Sequence, residues 1–114
     1  GLDELSTLGH TKVSELRNGA VNTFYVHPAD LGLRQASLAE LAGGTAAENA
    51  DLVRRLLDGE PGPRRDIVLL NAAAALLVAG VADSLADGLT GAVASLDSGR
   101  ARIAIDQLRS ICAS

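Results

Sequence analysis

Methionine and tryptophan are absent from the 114-residue sequence, cysteine occurs once, and aromatic residues make up only 2% of it. A chain without methionine cannot be a complete primary translation product, so we expect a processed or trimmed part of a longer protein. The single cysteine, Cys112, excludes an internal disulfide and a cysteine-built zinc site. It also fits a reducing compartment, which predicts a cytoplasmic protein.

The sequence also lacks an apolar run that could span a bilayer. The longest such run, residues 67–79, is interrupted by Asn71 and is shorter than the ~20 residues that a transmembrane helix needs. The N-terminal Gly-Leu-Asp-Glu has neither the basic region nor the hydrophobic core of a secretion signal. We therefore expect no membrane partner.

Positive charge is in deficit as well. The formal net charge is −4 and the sequence pI is about 5.0, which argues against a nucleic-acid partner bound through a broad basic surface. Apolar residues nevertheless make up 47% of the chain, a share typical of a packed protein. The length suits one domain, or part of one.

Two β-favouring runs flank Asn18 and Gly19. Asn-Gly between such runs is a strong hairpin signal because both residues tolerate positive φ. The pattern predicts strands over residues 11–16 and 21–26. Pro28 ends the second strand, since proline has no amide hydrogen for a ladder.

The rest of the chain is predicted to be helical. Capping boxes, in which Ser or Thr precedes Glu by three residues, occur at Ser37 with Glu40 and at Thr45 with Glu48. They predict a helix of one to two turns before Gly43, and a second helix that runs to about Asp58. Three more helices are expected over residues 66–78, 84–96 and 100–111. The fold class is therefore α/β, a β-hairpin followed by a helical half.

Two of these helices differ in how they should pack. The helix over residues 66–78 is apolar nearly all round, which indicates burial on several sides. The last helix has an apolar stripe made by Ile103, Leu108 and Ile111.

Asp3 and Glu4 form the only adjacent carboxylate pair in the sequence. Such a pair suits magnesium, which is held by one or two carboxylates together with substrate phosphates and water. The structural alternative is a solvated acidic surface, which is the commoner interpretation of an acidic dipeptide.

Other polar residues are weaker candidates, each with a structural alternative. Asn71 is expected to satisfy a buried backbone group rather than a ligand. His10 and His27 could bind a metal, but are expected to be turn and strand-end residues. Arg64 and Arg65 could bind phosphate or flank a helix in solvent, and Ser6 and Thr7 could bind a ligand or stabilise a turn. Gly43 and Gly44 resemble a phosphate-binding loop only superficially, and Cys112 is expected to be an inert thiol.

The first seven residues, followed by Gly9 and Thr11, resemble the Gly-Leu-Asp-Glu-hydrophobic-Ser segment of anthranilate phosphoribosyltransferases. The similarity continues in order along the whole chain, through residues 43–44, 48–50, 66–76, 82–88 and 97–101. The combination of motifs is specific, although each motif alone is not. One departure is His10, where the family more often has proline.

The resemblance implies an enzyme of tryptophan biosynthesis. It would transfer phosphoribosyl from phosphoribosyl pyrophosphate to anthranilate, release pyrophosphate and act as a cytoplasmic homodimer. In this family the Asp-Glu pair helps to hold Mg²⁺ at the pyrophosphate, so the metal role carries over to Asp3 and Glu4. No catalytic residue is identified in the chain.

Two family segments that bind the substrates, Gly-Thr-Gly-Gly-Asp and Lys-His-Gly-Asn, are absent here and precede Gly-Leu-Asp-Glu in the family. The resemblance therefore implies that residues 1–114 are the C-terminal part of a catalytic α/β domain of the nucleoside phosphorylase and phosphoribosyltransferase type. The N-terminal helical domain and the first part of the α/β domain would belong to the missing N-terminal part. The fragment alone should be inactive.

Three alternatives stay open at this point. A non-catalytic relative of the same fold that binds nucleic acid is disfavoured by the acidic balance. A pyrimidine nucleoside phosphorylase is disfavoured by the run over residues 66–76 and by the Gly-Leu-Asp-Glu start. A purely structural helical module would leave Asp3 and Glu4 unexplained.

Overall fold

The computed structural model describes residues 2–113 and consists of an antiparallel β-hairpin followed by four helices. The elements are β1 (Thr11–Arg17), β2 (Ala20–Val26), α1 (Ala46–Leu57), α2 (Pro63–Val78), α3 (Leu85–Asp97) and α4 (Arg100–Cys112). Two short 3-10 turns, Pro28–Leu31 and Ala39–Leu41, lie between β2 and α1. The α/β fold class expected from the sequence is confirmed.

The hairpin turns where the Asn-Gly pair predicts. Asn18 and Gly19 have φ values of 52° and 79°, as a two-residue turn with both central residues at positive φ requires. On one face of the hairpin, Val13 and Phe24 are opposite each other and line a cavity of about 370 Å³ shared with α2 and the start of α3. This face of the hairpin therefore looks towards the helices across the cavity.

Side-chain caps fix the starts of α1 and α3. Thr45 Oγ1 accepts a hydrogen bond from the Glu48 amide at 3.2 Å, and Ser84 Oγ accepts one from the Asp87 amide at 3.1 Å. Both caps lie where the sequence predicts them. Each satisfies an amide that would otherwise lack a partner at the helix N-terminus.

The capping box at Ser37 is present but starts less helix than the sequence suggests. The Ser37 amide donates to Glu40 Oε2 at 2.8 Å, and the Glu40 amide donates to Ser37 Oγ at 3.3 Å. Only the single 3-10 turn Ala39–Leu41 follows, because Ala42 adopts an extended conformation with ψ of 138°. The prediction of one to two turns holds only at its lower limit.

α2 begins three residues before the predicted start at Asp66. Pro63 is its first residue, a position that proline tolerates because the amide hydrogen it lacks would have no partner inside the helix. Arg64 and Arg65 are therefore helical residues and do not precede the helix.

The core forms where α2 packs against α3. Leu69 contributes from α2, and Ala92 and Leu96 contribute from α3. The two backbones come close at Gly88, where a Cβ atom would lie 2.5 Å from the carbonyl oxygen of Ala73. Glycine is therefore needed there for space, which gives the helix pair its short separation.

The predicted burial of residues 66–78 on several sides holds for one face of α2 only, since Val68 in the same stretch is 45% exposed. Leu69, Leu70 and Ala73 are all buried, and Leu70 is only 1% exposed. The end of α2 is different, since Val78 is 88% exposed. The apolar stripe of α4 is also exposed, at Ile103, Leu108 and Ile111. The stripe therefore exists but is not buried against the rest of residues 2–113.

None of the helices described between residues 2 and 113 has both the length and the apolar character needed to cross a membrane.

Replacing Gly88 with alanine should destabilise the protein by about 1–3 kcal/mol, because the new Cβ would force the α2 and α3 backbones apart. Gly91→Ala is the matched control on α3. Its Cβ would meet only the end of the Leu76 side chain, at 3.3 Å, and alanine favours the helix by about 0.8–1 kcal/mol. Thermal unfolding of both variants tests this, and a Gly88→Ala protein as stable as the wild type would contradict it.

Candidate functional site

Asp3 and Glu4 lie in the irregular segment that precedes β1, and both are exposed. Neither side chain makes a hydrogen bond or an ion pair with any residue from 2 to 113. Their carboxylate oxygens are therefore available to a ligand.

The acidic pair offers oxygen donors of the kind that magnesium takes. Within the described part of the chain, no group of three or more His, Cys, Asp or Glu side chains is placed to hold a metal. Magnesium commonly uses only one or two carboxylates and keeps water and substrate phosphates as its other ligands. Two exposed carboxylates meet that requirement, whereas a closed structural site would need more protein ligands.

Asn71 of α2 holds the backbone directly behind the acidic pair. Its Oδ1 accepts from the Leu5 amide at 2.9 Å, and its Nδ2 donates to the Leu5 carbonyl oxygen at 2.9 Å. The same Nδ2 donates to the Ile67 carbonyl oxygen at 3.0 Å. The prediction that Asn71 satisfies backbone groups is confirmed, although its partner 66 positions away was not foreseen.

Ser6 and Thr7 hold the next part of the segment. The Ser6 amide donates to Thr11 Oγ1 at 3.0 Å, and Ser6 Oγ accepts from the Leu8 amide at 2.9 Å. Thr7 is fully buried, and its carbonyl oxygen accepts from the Ala36 amide at 2.8 Å. Ser6 and the Thr7 carbonyl therefore fix the path of the chain, which is the structural alternative to ligand binding. The Thr7 hydroxyl has no such role, because its Oγ1 is buried without a hydrogen-bond partner among residues 2–113.

The two histidines, His10 and His27, are neighbours in space although they are distant in the sequence. Their ring centroids are 4.8 Å apart, because Thr11 pairs with Val26 and the residues just outside that pair then lie side by side. His27 Nδ1 accepts from the Ala29 amide at 3.1 Å and so caps the turn that follows β2. Extending the hairpin register by one pair would have predicted this contact from the sequence.

Arg64 and Arg65 have structural partners. Arg64 Nη2 donates to the Ala42 carbonyl oxygen at 2.8 Å. Arg65 makes two hydrogen bonds of 2.9 Å each to the two carboxylate oxygens of Asp97, and its side chain is largely buried. The Arg65 guanidinium also holds the pKa of Asp97 below its usual range. Arg65 therefore ties the first turn of α2 to the end of α3 and is not available for phosphate.

Gly44, the second glycine of the pair before α1, is also engaged. The Gly44 amide donates to Asn49 Oδ1 at 2.8 Å, and Asn49 Nδ2 donates to the Gly44 carbonyl oxygen at 3.2 Å. A Cβ atom at Gly44 would lie only 2.3 Å from Glu48 Oε2. That oxygen is the end of a flexible side chain and can move away, so the contact alone does not require glycine. The Gly44 amide, however, is bonded to Asn49 and is not presented to a phosphate. Cys112, by contrast, is an exposed free thiol near the end of α4.

The sequence profile described as "Glycosyl transferase family, a/b domain" matches residues 1–102. The anthranilate phosphoribosyltransferase of Phenylobacterium zucineum is 51% identical over 113 residues, which are 99% of this chain and 34% of that protein. The enzyme of the same name from Caulobacter vibrioides is 52% identical over 105 residues, 92% of this chain and 31% of that protein. The chain thus spans about a third of the length of the curated relatives it matches.

Solved structures give the same similarity. Anthranilate phosphoribosyltransferase from Thermus thermophilus has a TM-score of 0.84 and 41% identity, covering 94% of this chain and 32% of that one. The Saccharomyces cerevisiae enzyme in complex with 4-fluoroanthranilate has a TM-score of 0.83 and 28% identity, covering 93% and 31%. A variant of the yeast enzyme with Mg bound has a TM-score of 0.80, again at 28% identity and covering 93% and 31%.

The Arg65–Asp97 bond predicts how stability responds to pH. A carboxyl group whose pKa is lower in the folded state stabilises the fold above its unfolded pKa, and this contribution is lost as the pH falls through the folded pKa. Asp97→Asn should therefore lower the melting temperature at pH 7, and its difference from the wild type should shrink in acid. Asp106→Asn is the control, because its oxygen lies 3.9 Å from Arg109 on the exposed side of α4. Equal melting curves for Asp97→Asn and the wild type at pH 7 would contradict the prediction.

Proposed function

Since the chain belongs to the glycosyl transferase family, a/b domain, we propose that it is part of an anthranilate phosphoribosyltransferase. The observation that carries this proposal is sequence identity of about one half, over nearly the whole chain, to relatives of that name. In the complete protein, residues 1–114 would be the C-terminal part of the α/β domain. The missing N-terminal part would supply a helical domain and the first part of the α/β domain.

The proposed reaction exchanges one bond at the ribose. The bond from the ribose carbon to the pyrophosphate oxygen breaks, and the amino nitrogen of anthranilate forms a bond to the same carbon and loses one proton. Pyrophosphate leaves with several negative charges. Groups that are placed to stabilise this developing charge lower the barrier.

Asp3 and Glu4 would hold magnesium through their carboxylate oxygens. When bound, the ion would neutralise charge on the pyrophosphate group, as metal ions do in phosphate chemistry. The support is the exposure of both side chains, the oxygen donors they offer, and the bound Mg in the related yeast enzyme. The role of the chain itself is to hold these donors at a fixed place, which the hydrogen bonds on Leu5, Ser6 and Thr7 support.

Exposed apolar surface supports the presence of a further part of the protein. Besides the stripe on α4, an open apolar groove of about 540 Å³ runs past Leu2, Leu38, Leu41, Leu52, Val53, Leu56, Ile67 and Val68. Exposed apolar patches of this kind usually mark surfaces that other protein covers. Phosphoribosyl pyrophosphate and anthranilate would bind mainly to residues of that missing part.

The proposal extends to the setting of the complete protein. It would be a cytoplasmic homodimer that acts in tryptophan biosynthesis, and the support for this is the resemblance to the family together with the names of the relatives. No observation favours a nucleic-acid-binding relative or a pyrimidine nucleoside phosphorylase, because the relatives reported above carry the name of the anthranilate enzyme.

Replacing both Asp3 and Glu4 with alanine in the complete protein should remove the proposed metal ligands. The loss of one good electrostatic contact to the transition state is worth about 2.7–4 kcal/mol, so kcat should fall roughly 10²–10³-fold. The magnesium requirement should also move to higher concentration. The matched control is Glu60→Ala with Asp83→Ala, two exposed acids outside the segment. Unchanged kcat and unchanged magnesium dependence in the Asp3 and Glu4 variant would contradict the metal role and would show that the pair is only a solvated acidic surface.

The 114-residue chain alone should form no product from anthranilate and phosphoribosyl pyrophosphate, because the substrate-binding segments are expected in the missing part. Adding that part as a separate polypeptide should restore activity. The assay is product formation with rigorously purified fragment, with the complete protein as the positive control. Turnover by the fragment alone would refute this division of the site.

A further inference from the structure

We propose that Asn71 is a positioning residue for the metal-binding role of Asp3 and Glu4, an inference that rests on the proposed function. Its side-chain amide makes two hydrogen bonds to Leu5, the residue that directly follows the pair. Asn71 itself does not reach the substrate in this inference. It acts by fixing the backbone from which the two carboxylates project.

The two bonds hold two successive peptide units. The Leu5 amide hydrogen belongs to the planar unit that joins Glu4 to Leu5, so the bond to Asn71 Oδ1 fixes the plane that begins at the Glu4 Cα. The Leu5 carbonyl belongs to the next unit, which Nδ2 holds. With both units fixed, the φ and ψ angles of Leu5 are set. Glu4 should depend on Asn71 more strongly than Asp3, which lies one residue further away.

The anchor is itself rigid. Asn71 Nδ2 also donates to the Ile67 carbonyl oxygen one turn earlier in α2, which fixes the orientation of the amide group. Its neighbour Leu70 is almost completely buried in the core. Two residues after Leu5, the Thr7 carbonyl oxygen accepts a hydrogen bond from the Ala36 amide, which fixes the segment at a second point. The acidic pair is therefore exposed on a backbone that is tied to the core.

This rigidity matters for magnesium in particular. Magnesium demands nearly ideal octahedral geometry, with ligand oxygens at about 2.0–2.1 Å. A carboxylate on a mobile backbone therefore binds it poorly. Partners that orient metal ligands without touching the metal typically contribute roughly 10–100-fold in affinity. An asparagine that fixes the backbone of a ligand should have an effect near the lower end of that range.

The test compares Asn71→Leu, which keeps the size of the side chain but removes its hydrogen bonds, with Leu69→Val, which loosens the same helix away from the segment. In the full-length protein, Mn²⁺ binding in the presence of inorganic pyrophosphate is measured by electron paramagnetic resonance. Asn71→Leu should weaken Mn²⁺ binding roughly 10-fold, with no comparable change in Leu69→Val. The half-saturating magnesium concentration should rise in parallel.

A double-mutant cycle separates positioning from general loosening. In a Glu4→Ala background, Asn71→Leu should cost less Mn²⁺ affinity than it does alone, because the ligand that it positions is gone. Fully additive losses would overturn the inference. If Asn71→Leu does not fold, Asn71→Ser takes its place in the cycle.

The outcomes also separate this inference from the proposed function. If Asp3→Ala and Glu4→Ala weaken Mn²⁺ binding but neither Asn71 variant does, the inference on Asn71 is overturned and the proposed metal role stands. If none of these variants changes Mn²⁺ binding, the metal role of the pair and the inference on Asn71 are both overturned.

Discussion

The close approach of α2 and α3 is the constraint on which the rest of the structure depends. Gly88 lets the α3 backbone approach the Ala73 carbonyl. Leu69 packs against Ala92 and Leu96, one and two turns further along α3. Arg65, in the first turn of α2, binds Asp97 at the end of α3. These three contacts fix α2 along its length. Asn71 lies on the same helix and binds Leu5, so the position of the acidic segment depends on how α2 packs in the core.

Local chemistry predicts much of this fold. The positive φ values of Asn18 and Gly19 make the hairpin turn, and the hydroxyl caps at Thr45 and Ser84 begin their helices, because each signal acts over only a few neighbouring residues. The same reasoning is weaker where neighbours compete. The box at Ser37 forms, but the extended Ala42 ends the turn at once, and α2 starts at Pro63 because proline is compatible with a first helical position.

In the candidate site, too, the sequence identifies individual residues but not their long-range contacts. Asp3 and Glu4 can be recognised in the sequence because two adjacent carboxylates suit a cation. Asn71 can be recognised as a polar residue in an apolar helix. What sequence reasoning could not supply is the pairing of Asn71 with Leu5, or of Arg65 with Asp97, since these contacts join residues 66 and 32 positions apart. The Arg65 side chain looks free in the sequence only because its partner is on another helix.

The bonds that hold residues 5–8 also have a kinetic meaning. Two of these bonds are local, from the Ser6 amide to Thr11 and from the Leu8 amide to Ser6. The others reach Asn71 on α2 and Gln35 and Ala36 between the two 3-10 turns, so part of the order of the segment comes from contacts that close long loops. Closing such loops has an entropic cost that must be met before the contacts form. The segment can therefore reach its full set of contacts only when α2 and residues 35–36 are in place, so its order depends on the tertiary fold as well as on its own sequence.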